Sequence, residues 1–245
     1  MATTFDLSGK SILITGAGRG LGRALAIGAA RSGARVTAFD VDGPSLVELR
    51  KASDSITTHV VDVVDRVAFM QAADRIGRLD GVVNNAMLIR YDPIEDVDDA
   101  ILDRMLAIGI KGAVWGVQAL LRQMDPQVGG VVLNLASPVA ERGFPRTAVY
   151  SMVKGAMGTF TRTLAAELGP RKVRVNALAP GSIPTPGAVS ITPQAEYERR
   201  AVSIPLRRIG RDDDATNASL FLLSDAASFI SGDILHVDGG FLASA

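Results

Sequence analysis

Short apolar runs that stop at glycine or a polar residue alternate along this chain with longer segments of helical period. Ser11-Ile12-Leu13-Ile14-Thr15 is the first run, closed by glycines, and reads as a buried parallel strand. Leu21 to Ser32 is alanine-rich and predicts a helix that Gly33 stops. Val36 to Asp40 is a second strand, and the next helix begins near Pro44, a residue suited to a first helical turn. Thr57 to Val61, Gly81 to Asn84, Gly130 to Ala136, Lys172 to Leu178 and Ile234 to Val237 complete the strands. Between them Arg66 to Ile76, a long segment from about Ile101 to Met124, the segment through Tyr150 to Leu168, and Asp212 to Ser224 read as helices.

Strands alternating with helices predict an α/β fold, a doubly wound parallel sheet of Rossmann type with helices on both faces. At 245 residues the chain is expected to be a single domain throughout, without repeats, linkers or low-complexity tracts. Such sheets bind ligands beyond the carboxyl ends of their strands. The least regular stretch, Pro180 to Pro193, is rich in Pro, Gly, Ser and Thr and marks a candidate substrate lid reaching to about residue 205.

Charge excludes several partners. Lys+Arg and Asp+Glu balance at 26 each, so nothing in bulk attracts nucleic acid or an anionic membrane. There is no cysteine, which removes disulfides, thiolate catalysis and Cys-based zinc sites. The two histidines, His59 and His236, have no ligand-like neighbours, so no metal site is expected. Met1 to Lys10 lacks the basic-then-apolar plan of a signal peptide, and no run is long enough to span a bilayer, so a soluble cytoplasmic protein is the expectation.

Candidate chemistry begins at Thr15-Gly16-Ala17-Gly18-Arg19-Gly20-Leu21-Gly22, between the first strand and the first helix. Glycines there let the backbone turn tightly and approach a pyrophosphate, while the helix N-terminus offers N–H groups and positive potential. Asp40 ends the following strand, the position of a carboxylate that accepts hydrogen bonds from an adenosine ribose. A carboxylate there repels the 2′-phosphate of NADP. Arg19 pulls the other way, since a guanidinium pairs with that phosphate. Asp40 should touch the ribose directly, so NAD is favoured over NADP.

The second candidate is Val149-Tyr150-Ser151-Met152-Val153-Lys154, with Ser137 upstream. Residues four apart on a helix share a face. An ammonium about 4 Å from a phenol in a partly screened site contributes roughly 4 kcal/mol. That is enough to bring tyrosine's titration from about pH 10 toward neutrality, with lysine as the fixed charge and tyrosine as the acid or base.

With these residues in view, the chain resembles the single-domain type of the short-chain dehydrogenase/reductase family over nearly its whole length. The resemblance rests on the Thr15–Gly22 turn, Asn84-Asn85-Ala86, Ser137, Tyr150 with Lys154, Pro180-Gly181 followed by Thr185, and Ser231-Gly232-Asp233 through Val237-Asp238-Gly239-Gly240. It implies that Tyr150 exchanges a proton with the substrate oxygen, that Ser137 orients that oxygen, and that Lys154 lowers the tyrosine pKa and holds the nicotinamide ribose. It implies further that Gly16, Arg19, Gly20, Leu21, Gly22 and Asp40 line the cofactor, with Asp62 and Val63 flanking the adenine. Asn85, through its backbone, Ala86, Pro180 and Gly181 would touch the cofactor, and Ile183 and Thr185 would hold its carboxamide. The implied activity is interconversion of a secondary alcohol and a ketone, and the implied assembly is a homotetramer or a homodimer.

Two positions depart from the family pattern. Met87 follows Asn84-Asn85-Ala86 where glycine is usual, and it crowds the site or adds an apolar wall. Gly109 stands where the family's asparagine holds a water linked to the lysine; glycine there leaves room for another water or for substrate. Met87, Ile89, Val139, Phe144, Ile183 and Val189 are expected to face the substrate by the same resemblance. Their apolar character suits a cyclic, aromatic or steroid-like alcohol or ketone. Two other readings stay open: an NADPH-dependent 3-oxoacyl carrier-protein reductase, and a catalytically weakened NAD-binding sensor or assembly protein.

Overall fold

The computed structural model describes residues 5–190 and 192–244. Residues 1–4, 191 and 245 lie outside it, and with them the start of the N-terminal segment and one position of the expected lid. Among the described residues seven strands form a single parallel sheet: β1 (Ser11–Thr15), β2 (Arg35–Asp40), β3 (Ile56–Val60), β4 (Gly81–Asn84), β5 (Gly130–Leu135), β6 (Val173–Pro180) and β7 (Ile234–Val237). Their order is β3-β2-β1-β4-β5-β6-β7. The order reverses between β1 and β4, where crossovers leave for opposite faces and a crevice opens at the strand ends.

Alternate residues of each strand feed two apolar layers, because side chains point to opposite faces with period two. Ile12 and Ile14 of β1 join α1 (Gly20–Arg31) and α9 (Asp212–Leu223) through Leu25, Ala29 and Leu220. Leu13 points the other way, toward α3 (Arg66–Asp74), α5 (Gly112–Gln123) and α6 (Ala148–Leu168) through Phe69, Leu120 and Leu164. Leu13, Ile14, Val83 and Leu133 have no exposed surface. Each such side chain contributes on the order of 2 kcal/mol by leaving water, which is why the strands read as unbroken apolar runs. Among the described residues no helix is long and apolar enough to cross a membrane.

The expected long helix from Ile101 to Met124 is divided. α4 (Asp99–Leu106) passes into a π turn over Ala107–Lys111 and resumes as α5. A π turn adds a residue to the helical ring and re-aims the side chains around it. The expected irregular lid also differs from the observed backbone. It carries a short helix, α7 (Pro186–Val189), and then α8 (Gln194–Ser203), followed by irregular chain. α8 is polar nearly all round, with Tyr197 its buried residue, so it gives little apolar period for a sequence reading to detect. Glu196 pairs with Arg199 and Arg200 at helical spacing and steadies it.

Candidate active site

A cleft of about 460 Å³ opens at the carboxyl ends of β1, β2, β4, β5 and β6. Gly16, Arg19, Gly20, Leu21, Gly22, Asp40, Asp62, Val63, Asn85, Ala86, Tyr150, Lys154, Pro180 and Thr185 all line it, as do Met87 and Ile89. Residues separated by most of the chain thus share one cavity, because a parallel sheet brings every strand's end to the same edge.

The glycine turn is built by close approach. Gly16 and Gly20 have φ of 64° and 56°, a left-handed backbone that a side chain would strain. Any Cβ on Gly22 would come closer than 3.0 Å to both the Gly16 carbonyl oxygen and Asn85 Nδ2. Asn85 clamps the turn, Nδ2 donating to the carbonyls of Thr15 and Gly16 at 2.9 Å each. Thr15 Oγ1 accepts in turn from the backbone N–H groups of Asn85 and Ala86. α1 then starts from Arg19 with no side-chain cap and no acidic residue in its first turn. An uncapped helix N-terminus facing a glycine-lined cleft is a place for an anionic group such as a pyrophosphate.

Asp40 is held against that turn. Its Oδ2 accepts from the Gly18 N–H at 2.8 Å and its Oδ1 from Asp42 N–H at 3.0 Å. Arg19 lies within electrostatic reach of Asp42, whose carboxyl sits low chiefly through hydrogen bonds from Ser45. On the opposite wall Asp62 accepts from Val64 N–H and pairs with Arg104 of α4 at 2.8 Å. Arg104, Leu88 and Ile108 line the cleft and were not anticipated from the sequence. The Arg104–Asp62 pair spans 42 residues, so no local pattern announces it.

Tyr150 and Lys154 stand on α6, whose inner face is buried from Val149 to Leu168. A polar ladder inside the core sets that helix on the sheet. Asn84 Nδ2 donates to Asn134 Oδ1 at 2.8 Å, Asn134 Nδ2 donates to Thr161 Oγ1 at 2.9 Å, and Thr161 donates to the Met157 carbonyl. Ser137 lies two residues past β5, and its hydroxyl offsets a small part of the rise that burial and Tyr91 impose on the Tyr150 phenol. Tyr91 meets the Tyr150 ring edge-on at 5.7 Å.

The structure departs from the expected effect of lysine on tyrosine. Lys154 Nζ lies 5.8 Å from the Tyr150 ring centroid and donates to the Leu135 carbonyl at 2.6 Å. Both side chains are nearly out of water, at 9% and 6% exposure. Burial disfavours a charged form. It pushes the Tyr150 phenol well above its usual range, with Tyr91 adding to the rise, and it pulls Lys154 down to about 8.

Some expected site residues sit elsewhere. Gly181 donates from its N–H to the Val237 carbonyl and packs against Asp238, tying β6 to β7. Ile183 is a core residue at 6% exposure, under Gly210. Phe144 stacks on Phe241 at 5.8 Å instead of facing the cleft, and Arg142 covers both rings. Val189 is half-exposed on α7, while its neighbours Gly187 and Ser190 line the cleft. Val139 packs in the apolar cluster around Tyr150 and Met105. Thr185 Oγ1 caps α7 by accepting from Ala188 N–H, and its side chain touches Gly20. The room expected at Gly109 is filled by Val153 and Met87.

Sheet order and the glycine turn thus bring Tyr150 and Lys154 to one cleft, with Ser137 on the turn after β5. The family profile described as enoyl-(acyl carrier protein) reductase matches residues 16–242. Carbonyl reductase [NADPH] 2 of Sus scrofa is 35% identical over 98% of this chain and 99% of its own. The short-chain dehydrogenase/reductase glucose/ribitol dehydrogenase structure of Brucella melitensis superposes with a TM-score of 0.91 at 30% identity, covering 97% of this chain and 98% of that one. A Beutenbergia cavernae structure with bound NADP gives a TM-score of 0.91 at 33% identity, over 98% of this chain and 99% of that one. The chain belongs to the short-chain dehydrogenase/reductase family of oxidoreductases.

Proposed function

We propose that the protein is an NAD(H)-dependent oxidoreductase interconverting a secondary alcohol and a ketone, with an apolar cyclic or aromatic substrate. The observation that carries this reading is the meeting of Tyr150, Lys154 and the glycine turn in one cleft. The cofactor supplies or accepts the hydride. The uncapped start of α1 and the glycine turn would hold its pyrophosphate, Asp40 and Val41 would border its adenosine ribose, and Asp62 and Val63 would border its base.

The preference for NAD rests on Asp40. Its carboxylate is fixed at the loop by two backbone N–H groups, and Asp42 stands beside Arg19 to oppose that residue's charge. A 2′-phosphate there would meet the Asp40 carboxylate, and like charges in contact cost several kcal/mol. The relatives named for NADPH or bound to NADP make this the point most worth measuring.

Tyr150 keeps its proton at neutral pH, the state that donates to a ketone oxygen as hydride reaches the carbonyl carbon. Ser137 orients that oxygen, and Lys154 holds the ribose side of the site. In the opposite direction the tyrosine must accept a proton, so alcohol oxidation rises with pH. Met87, Leu88, Ile89 and Ile108 give the cleft an apolar wall that suits a hydrocarbon-rich substrate. Assembly as a homotetramer belongs to the same reading.

A panel of cyclic and aromatic ketones and secondary alcohols, followed by nicotinamide absorbance with each cofactor, tests it. Turnover with NADH above NADPH, lost by at least a hundredfold in Tyr150→Phe, is expected. Equal rates in parent and Tyr150→Phe on the best substrate refute the assignment, and a preference for NADPH refutes the role given to Asp40.

A further inference from the structure

The chain after β7 turns back over the segment that joins β5 to α6. Phe241 stacks on Phe144 with ring centroids 5.8 Å apart, and the Arg142 guanidinium lies 4.8 Å from the Phe241 ring centre and 5.8 Å from that of Phe144. His236 Nε2 of β7 and Glu141 Oε1 are 2.7 Å apart. The turn that delivers Phe241 is itself braced. Asp238, buried beside Gly181, accepts from the N–H groups of Gly240 and Leu242 at 2.9 and 3.0 Å. The Gly239 carbonyl accepts from Leu206 N–H at 3.2 Å, in the irregular chain after α8.

The gripped segment is tied at one end to Ser137 and at the other to the start of α6. Glu141 and Arg142 N–H groups both donate to the Pro138 carbonyl at 3.1 Å, and Ala140 N–H donates to the Ser137 carbonyl at 3.0 Å. The Phe144 carbonyl accepts from Thr147 Oγ1 at 2.9 Å. Thr147 is the N-cap residue of α6, and its own carbonyl accepts from Ser151 N–H at 2.7 Å, one residue past Tyr150. Between Phe144 and Thr147, Arg146 has φ of 68°, a backbone that a residue with a side chain adopts chiefly where its surroundings impose it. Arg142, Phe144 and Phe241 lie outside the lining of the cleft, so what they hold is the loop itself. We propose that Phe241 and Arg142 are positioning residues: the turn after β7 clasps the 137–147 loop and keeps Ser137 and the first turn of α6 in place for proton transfer. The functional half of this rests on the reading of Ser137 and Tyr150 as the groups that meet the substrate oxygen. Transfer needs the reacting atoms aligned, and a displacement of about 1 Å can cost on the order of a hundredfold in rate.

The clasp is tested without turnover, by hydrogen exchange of the 137–147 segment in Phe241→Ala and Arg142→Ala. Removing either partner should speed exchange of that segment by about fivefold or more, while the segment from Gly16 to Gly22 keeps the parent's rate. Arg142 is exposed, so its variant keeps the test open should loss of the Phe241 ring unsettle the fold. For each residue, exchange of 137–147 at the parent's rate overturns its part in the clasp.

Positioning is read from kinetics on the best ketone. In Phe241→Ala and Arg142→Ala kcat should fall by roughly tenfold, while the Kd for NAD stays within about twofold because the glycine turn is untouched. Phe241→Tyr keeps the ring and should restore the parent's kcat. A parent-like kcat in variants whose loop exchanges faster overturns the positioning role. So does a kcat that Phe241→Tyr fails to restore, or a loss of NAD affinity that matches the loss of kcat. An active Tyr150→Phe would sink the catalytic reading and leave the exchange result standing, so the two failures are distinguishable.

Discussion

Replacing Lys154 by methionine should change how stability depends on pH. Burial lowers the lysine from 10.5 to about 8, so between those values the unfolded chain binds a proton that the folded protein does not. Stability rises with pH wherever the unfolded state binds more protons. Lys154 therefore destabilises the fold most below pH 8, where its ammonium is buried and charged, and this cost fades toward pH 10.5. At about 1.4 kcal/mol per pH unit the full difference is on the order of 3 kcal/mol. Tyr150 has the opposite sign, since its folded pKa is raised: it begins to oppose the gain only above about pH 10, where an exposed phenol ionises. The clean window is pH 8 to 10. Methionine keeps the length and burial of the side chain and drops the charge, at the expense of leaving the Leu135 carbonyl without its donor. That loss does not vary with pH, so the difference between parent and variant isolates the titration. Unfolding scans across the window should show the parent gaining on Lys154→Met by roughly 4–10 °C, given about 2–4 °C per kcal/mol for a chain of this size. Parallel pH curves for the two proteins would refute the buried-ammonium account.

Two other substitutions probe the cradle and the ladder. Gly22→Ala drives a methyl into the Gly16 carbonyl, which is backbone and cannot swing away, so a cost near 3 kcal/mol and a Tm fall of about 6–12 °C are expected. The stabilisation by added NAD should fall as well, and an unchanged Tm with an unchanged NAD-induced shift would contradict the geometry. Asn134→Leu removes the partner of both Asn84 and Thr161 at the centre of the core. Thr161 keeps its bond to the Met157 carbonyl but Asn84 is orphaned. One buried polar group without a partner costs about 1–3 kcal/mol, so Tm should drop by roughly 2–12 °C, and a variant as stable as the parent would show the ladder to be dispensable.

Much of the fold was legible because parallel strands are buried on both faces and become short unbroken apolar runs, as Ile12-Leu13-Ile14 and Val131-Val132-Leu133 show. The glycine turn was legible for a similar reason. Its residues are dictated locally, by left-handed φ at Gly16 and Gly20 and by contact of Gly22 with its own loop. What escaped depends on distant partners. Gly109 stood out as a departure from the family pattern, but the filling of its space was not visible in the sequence, since the side chains that close on it belong to α6 and to the loop after β4. Arg104 becomes a wall of the cleft only once α4 is laid beside Asp62. Phe144 carries no local mark of its stacking on Phe241, a residue almost at the other end of the chain.

The pair on α6 shows why spacing alone misjudged the titration. Four residues of separation place Tyr150 and Lys154 on one face, as expected, and a Coulomb estimate over that distance treats both groups as wet and facing each other. The helix instead carries that face into the core, fixed by the Asn84–Asn134–Thr161 ladder, and turns the ammonium to the Leu135 carbonyl. Desolvation then acts on both partners with opposite sign, raising the acid and lowering the base. Burial works against ionisation of the phenol and against charge on the lysine. An ammonium–phenolate pair is thus not the resting state of this site. A charge brought into the cleft that both side chains line would favour it.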